Sequence, residues 1–223
     1  MTTDTPDIEE SLRRLQARAA IFTPQVPEPP TTKQLDQDME RCGFSLRSIR
    51  ALDAATGPAV EKAAALLPKM LSDGIVLLLG PTGRGKTVMA AWIARERQKA
   101  GKKCGIFLSA YSLFSEVKST YGGNGKRETV AGNMVPYDAS YLIREWSKAK
   151  FLVIDEIQTR AETPWEDAML EEIINNRYGA MLPTLLIANL DAEKAQTSLG
   201  PRVIDRAREC GGIVNCAWPS YRS

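Results

Sequence analysis

The chain has 223 residues, 43% of them hydrophobic and 25% charged, which is the makeup of an ordinary globular protein able to bury one substantial core. It contains no histidine, and that excludes Ser-His-Asp and Cys-His nucleophilic machinery and any histidine-ligated metal. The formal net charge of +2 is unevenly spread: residues 1–57 carry 7 Lys/Arg against 9 Asp/Glu, residues 58–223 carry 22 against 18, and this basic excess permits nucleic-acid binding without requiring it. No apolar run approaches a membrane span, and Met1–Asp7 lacks the basic and apolar regions of a signal peptide. The four cysteines (Cys42, Cys104, Cys210, Cys216) form no C-x-x-C pair, so neither a zinc site nor a disulfide framework is indicated and a reduced cytoplasm is the expected setting.

Residues 7 to about 22 read as an amphipathic helix in which Ile8, Leu12, Leu15, Ala19 and Phe22 recur at steps of four and three. Its apolar stripe either packs on the chain's own core or on a short helix at about 32–42, or docks a partner protein. The Pro-rich stretch at 23–31 forbids helix and reads as an extended linker. The expected division is a helical N-terminal partner-docking segment at 1–57 followed by a larger domain at 58–223. A helix after Gly57-Pro58 leads to an apolar strand at 75–79, then a Gly-rich loop and a helix to about Ala100. A second strand follows at 104–109. Residues 111–148 are mixed, with a helix through Leu113, Phe114 and Val117, a flexible Gly122–Gly125 stretch and a further helix at about 140–147. Strands at 151–154, 184–188 and 213–216 alternate with helices at about 165–179 and from about Arg202. Such alternation predicts an α/β fold with a parallel sheet covered on both faces.

Residues Gly80-Pro81-Thr82-Gly83-Arg84-Gly85-Lys86-Thr87 are a complete phosphate-binding loop, set between an apolar strand and a helix that begins around Val88. The glycines let successive backbone N–H groups turn toward phosphate oxygens, and the helix N-terminus adds its positive dipole end. Lys86 is placed to reach the β and γ phosphates, and the Thr87 hydroxyl to hold Mg²⁺. Strand 151–154 ends in Asp155-Glu156, where Asp155 suits Mg²⁺ and Glu156 suits the general base that polarises an attacking water. Asn189 closes the fourth strand and is a candidate for positioning the water or sensing the γ-phosphate. Gly200-Pro201 opens a helix that sets Arg202 and Arg206 four apart, as fixed cations on one face.

The order GPTGRGKT, FLVIDE, LLIAN, LGPRVIDRAR and a closing AWPSYRS resembles the AAA+ ATPases of the DnaC and IstB group, nearest to helicase loaders of the DnaC type, over roughly residues 60–223. The resemblance implies a three-layer α/β/α domain with a five-stranded parallel sheet of order 5-1-4-3-2, and no helical lid domain after it. It further implies ATP with Mg²⁺, and hydrolysis at subunit interfaces of an oligomer. Arg206 is then an arginine finger, with Arg202 beside it. By the same likeness the N-terminal segment grips a hexameric replicative helicase, which makes Ile8, Leu12, Leu15 and Phe22 the docking candidates. Single-stranded DNA is expected near Lys118, Tyr121 and Trp165, an aromatic and cationic set suited to base stacking, or else to simple packing. The alternative within the group is a transposition ATPase of the IstB type that acts on double-stranded DNA with a transposase. Arg84, a bulky cation inside the loop, departs from the group's usual small residues.

Overall fold

A computed structural model of the chain describes residue 10 and residues 12–14, 29–121, 127–130 and 133–221. The chain forms two compact units, Met1–Pro30 and Thr31–Ser223. Within the first, residues 10 and 12–14 are helical, Arg14 pairs with Glu10 across one turn at 2.8 Å, and Leu12 is exposed. Ile8, Leu15, Phe22 and most of the 23–31 stretch lie outside the described residues.

The second unit opens with α1 (Thr32–Arg41), α2 (Leu46–Arg50) and a 3₁₀ turn at Ala51–Ala54, followed by α3 (Pro58–Leu71). These elements, up to Ala54, lie within the 1–57 stretch expected as the N-terminal segment. Met39, Phe44, Ile49 and Leu52 are buried in one core cluster with Val76, Leu78 and Met89, so the helices at 32–54 could not leave without exposing that cluster. Arg95 adds an ion pair to Asp36 at 2.6 Å. At the turn after α1, the Phe107 N–H donates to the Cys42 carbonyl at 2.7 Å. Gly43, at φ 98°, makes this approach possible, because a Cβ there would lie 2.2 Å from the Phe107 carbonyl oxygen.

The strands are β1 (Ile75–Leu79), β2 (Ile106–Ser109), β5 (Leu152–Asp155), β6 (Thr184–Ala188) and β7 (Gly212–Asn215), with a separate hairpin of β3 (Arg127–Val130) and β4 (Asn133–Pro136). All pairings in the main sheet are parallel, in the order β7-β1-β6-β5-β2. Counted over these five strands alone, that is the expected 5-1-4-3-2. The hairpin is antiparallel and was not anticipated, because the 111–148 stretch read as helices and a flexible run.

Helices cover both faces of the sheet: α4 (Lys86–Lys99), α5 (Ala110–Thr120), α6 (Ala139–Lys148), α7 (Pro164–Gly179) and α8 (Ala192–Cys210). Side chains alternate along a strand, so β1 feeds two cores. Ile75, Leu77 and Leu79 join a cluster with residues of α5–α8, while Val76 and Leu78 join the cluster of α1–α4. A strand buried on both faces has no polar side, and this is why β1, and β6 after Thr184, read as apolar runs. Helix α8 is interrupted at Gly200, at φ 74° and ψ 160°, and restarts at Pro201.

The charge most deeply enclosed is Arg177, fully buried near the start of β6. Its Nε donates to Thr184 Oγ1 at 2.7 Å, Nη1 to the carbonyls of Trp146 at 2.7 Å and Ala149 at 2.8 Å, and Nη2 to the Pro183 carbonyl at 2.7 Å. Burial lowers its pKa to about 9, which still leaves it charged at neutral pH. The guanidinium thus satisfies carbonyls at the ends of α6 and of the loop into β6 that would otherwise be orphaned. Arg177→Ala should destabilise the protein by about 3–5 kcal/mol in urea titrations, through unpaired carbonyls and the cavity together. A loss under about 1 kcal/mol would show that water replaces the side chain there.

Candidate nucleotide-binding site

In a parallel sheet every strand ends at the same edge, and the loops after β1, β5 and β6 therefore meet even though their sequences lie far apart. They enclose one side of a cleft of about 420 Å³. Its lining is Thr82 to Val88 of the loop, Asp155, Glu156 and Asn189 at the strand ends, a wall of Ser45, Arg47, Ser48 and Ala51, and Tyr221. Glycine is required in the loop itself, where Gly83 has φ 81° and Gly85 φ 77°.

Lys86 is the first residue of α4 and is buried at 5% exposure. Its Nζ donates to the carbonyls of Gly80 at 2.6 Å and Pro81 at 2.8 Å, which curls the side chain against the loop. Thr87 Oγ1 donates to Asp155 Oδ2 at 2.7 Å, and the other carboxylate oxygen of Asp155 accepts from the Glu156 N–H at 2.7 Å. Burial pushes the Asp155 carboxyl above its ordinary range, with the Thr87 and Glu156 hydrogen bonds only partly offsetting it. A buried carboxylate next to a threonine hydroxyl is a hard-oxygen donor pair that a divalent cation would relieve, so these residues fit Mg²⁺. Among the described residues there is no cluster of three or more His, Cys, Asp or Glu side chains, and a cation held here would have to complete its shell with water or phosphate.

Glu156 is exposed beside the cleft and holds a left-handed backbone, φ 56° and ψ 43°. Left-handed geometry is uncommon for a residue with a Cβ and concentrates at functional positions. The Asn189 N–H donates to Gln158 Oε1 at 2.8 Å, so a residue of the 3₁₀ turn after β5 ties the ends of β5 and β6 together. Sequence reasoning missed Gln158 and the Ser45–Ala51 wall. Neither carries a motif, and only the packing of α2 brings that wall to the loop.

Arg84, unexplained from sequence, is clamped by the closing segment. Its Nη1 donates to the Trp218 carbonyl, and the Trp218 indole N–H donates back to the Arg84 carbonyl at 2.9 Å.

The structure places Arg202 and Arg206 off the cleft of their own chain. Arg202 is exposed and pairs with Glu171 of α7. The Arg206 guanidinium lies 3.9 Å from the centroid of the Tyr178 ring and 3.5 Å from Glu209, while the Tyr178 hydroxyl donates to Glu209 at 2.7 Å.

Lys118, Tyr121 and Trp165 are brought together. The Lys118 ammonium lies 5.4 Å from the Trp165 ring centroid and pairs with Glu166 at 2.9 Å. Trp165 Nε1 donates to the Tyr121 hydroxyl at 3.3 Å, their rings meeting edge to face. Burial opposes ionisation of Glu166, but the hydrogen bond and charge of Lys118 outweigh it and hold the carboxyl below its ordinary range.

No family model matches the chain. Its relatives include the replicative helicase loader DnaC of Escherichia coli (strain K12), 30% identical over 145 residues, covering 65% of this chain and 54% of that protein. The DnaC loader of Buchnera aphidicola subsp. Baizongia pistaciae is 31% identical over 144 residues, covering 64% of this chain and 54% of that protein. Among solved structures, a crystal structure of the DnaC helicase loader superposes with a TM-score of 0.61 at 17% identity, covering 77% of this chain and 99% of that one. The chain is similar to the DnaC loaders in sequence and in fold. It spans about half the length of the curated DnaC proteins it matches. The replication initiator DnaA bound to AMPPCP and single-stranded DNA shares the AAA+ fold, with a TM-score of 0.59 at 15% identity over 78% of this chain and 50% of that one.

The raised Asp155 pKa has a sign. The folded state holds its proton above the ordinary value of 3.8, so ionisation at neutral pH costs the nucleotide-free protein stability, increasingly as pH rises through the folded pKa. Asp155→Asn should therefore raise the melting temperature of the nucleotide-free protein at neutral pH and shrink the loss of stability on going up from acid, measured by calorimetry. A lower melting temperature would mean that the Thr87 bond outweighs burial.

Proposed function

We propose that this protein is a cytoplasmic ATP-dependent helicase loader, built to bind a replicative helicase through its N-terminal segment and single-stranded DNA through its AAA+ domain. The observation that carries the reading is the convergence of Lys86, Thr87, Asp155, Glu156 and Asn189 on one cleft in a relative of DnaC loaders. Lys86 and the loop amides bind the phosphates of ATP. Thr87 and Asp155 would hold Mg²⁺, which supplies charge neutralisation at the β and γ phosphates. Glu156 accepts a proton from the attacking water, and Asn189 orients that water.

The second half of the site comes from another copy of the chain. Arg206 lies outside its own cleft, held over Tyr178, and its buried Nε has no acceptor among the described residues. These features suit a finger presented to the neighbour's γ-phosphate, with Arg202 beside it, and make turnover dependent on self-association. At the far end of α5, Tyr121 is 64% exposed next to Trp165 and Lys118, and this set offers a stacking face and a cation to a single strand. The N-terminal segment carries the docking role, with Leu12 exposed on it.

Lys86→Ala should abolish nucleotide binding, whereas Glu156→Gln should retain it and stall turnover, as read by fluorescent-nucleotide titration and phosphate release; unchanged activity in both would remove the assignment. Arg206→Ala should leave monomer affinity intact and reduce concentration-dependent ATPase by roughly 10³-fold or more. Equal loss of monomer binding would show that Arg206 serves its own cleft. Affinity capture with full-length protein and with a chain lacking residues 1–30 completes the test. Helicase recovered only with the full chain supports the loader reading, a transposase supports the IstB-type alternative, and neither removes both.

A further inference from the structure

The segment after β7 packs along the phosphate loop and touches it at more points than any motif in the sequence suggests. Cys216 N–H donates to the Leu79 carbonyl at 2.7 Å at the last residue of β1. Two residues on, the indole of Trp218 and the guanidinium of Arg84 exchange hydrogen bonds with each other's backbone carbonyls. The Tyr221 N–H donates to the Gly83 carbonyl at 2.9 Å. The Tyr221 ring lies against the loop, since a Cβ added at Gly85 would stand 3.4 Å from two of its ring carbons. Its hydroxyl accepts from the Ala59 N–H at 3.1 Å, in the first turn of α3, and donates to the Thr56 carbonyl at 3.4 Å.

These contacts have one consequence in common. Binding a triphosphate asks the loop to aim its N–H groups outward, and that needs its carbonyls turned the other way and fixed there. Two of those carbonyls, Gly83 and Arg84, are held by donors of the closing segment. The Arg84 side chain is held by the same segment, which explains a bulky cation in a loop of small residues. From these observations we infer that Trp218 and Tyr221 are positioning residues for the phosphate site: they pre-set the loop backbone, so that binding does not have to order it. Neither needs to touch the nucleotide's phosphates, and their action runs through Gly83 and Arg84. Preorganisation of this kind lowers the entropic cost of binding and so acts on affinity. It also joins the loop to Thr56 and Ala59, at the junction between α1–α2 and α3.

The inference rests on the nucleotide-binding reading above, and one titration separates the two. Fluorescent ATP is titrated into full-length wild type, Lys86→Ala, Trp218→Phe, Tyr221→Phe and Arg84→Ala, with melting temperatures taken in parallel. Trp218→Phe removes the indole N–H from the Arg84 carbonyl along with part of the ring, whereas Tyr221→Phe deletes only the hydroxyl that anchors the segment to Ala59 and Thr56 and so loosens the backbone N–H that holds Gly83. Failure of wild type to bind would end the site reading itself. With wild type binding, each phenylalanine variant should weaken affinity roughly 3- to 10-fold, the worth of about one hydrogen bond, at an unchanged melting temperature. Arg84→Ala combined with Trp218→Phe should then weaken it by less than the product of the single effects, because the two residues form one clamp. Turnover of the two single phenylalanine variants at saturating ATP should stay within about twofold, since their loss is in binding. Unchanged affinity in both phenylalanine variants, or multiplicative losses in the pair, would overturn the assignment. So would affinity that falls only in step with melting temperature, which marks a general stability effect.

Discussion

The contact between the Thr87 hydroxyl and the buried Asp155 carboxylate, 2.7 Å apart, joins the two halves of the site. One group begins the helix after β1 and the other ends β5, and these strands are not neighbours, because β6 runs between them. The parallel order brings them together, and β6 delivers Asn189 into the gap. The contact holds an acid in a place where its charge is poorly solvated. Burial raises the cost of that charge, and the Thr87 and Glu156 hydrogen bonds and the nearby Lys86 ammonium offset only part of it.

The compensating strength lies at the opposite edge of the sheet. Arg177 binds carbonyls at the entry to β6 and the exit of α6, while the cleft occupies the exits of β1, β5 and β6. Two cores, one on each face, share the strands between them. Stress at one rim and rigid anchoring at the other is the arrangement expected where loops carry chemistry on a fixed scaffold.

What was legible in the sequence followed from spacing. The phosphate loop, the Asp155-Glu156 pair and the closing Asn189 each sit at the end of an apolar run, so strand and turn were read in one stroke, and the sheet order came with the family likeness. Less legible were features set by distant partners. The hairpin at 127–136 has strands of four residues, too short for a period to show. Helices α1 and α2 were read as part of the partner-docking segment at 1–57, since nothing in their composition says that Met39 and Phe44 join the core cluster of Val76 and Leu78. Arg84 looked out of place because its partner, Trp218, is 134 residues away. The Lys118, Tyr121 and Trp165 grouping was proposed from the family likeness and residue type, and the fold gathers it by packing α5 beside the start of α7. Ile8, Leu15 and Phe22 fall outside the described residues, so the docking stripe rests on its periodicity.

Gly43 carries a consequence of a different kind. β2 is an edge strand, and an edge presents unpaired backbone groups to any extended chain that drifts near. Here the Phe107 amide is claimed by the Cys42 carbonyl, and the absence of a side chain at Gly43 lets the turn press against the strand. The turn after α1 is thus a guard rail against sheet-to-sheet aggregation. Cutting the chain at the Gly57-Pro58 junction would strip that guard and open the adjoining core, and the product would favour fibrous or amorphous stacking.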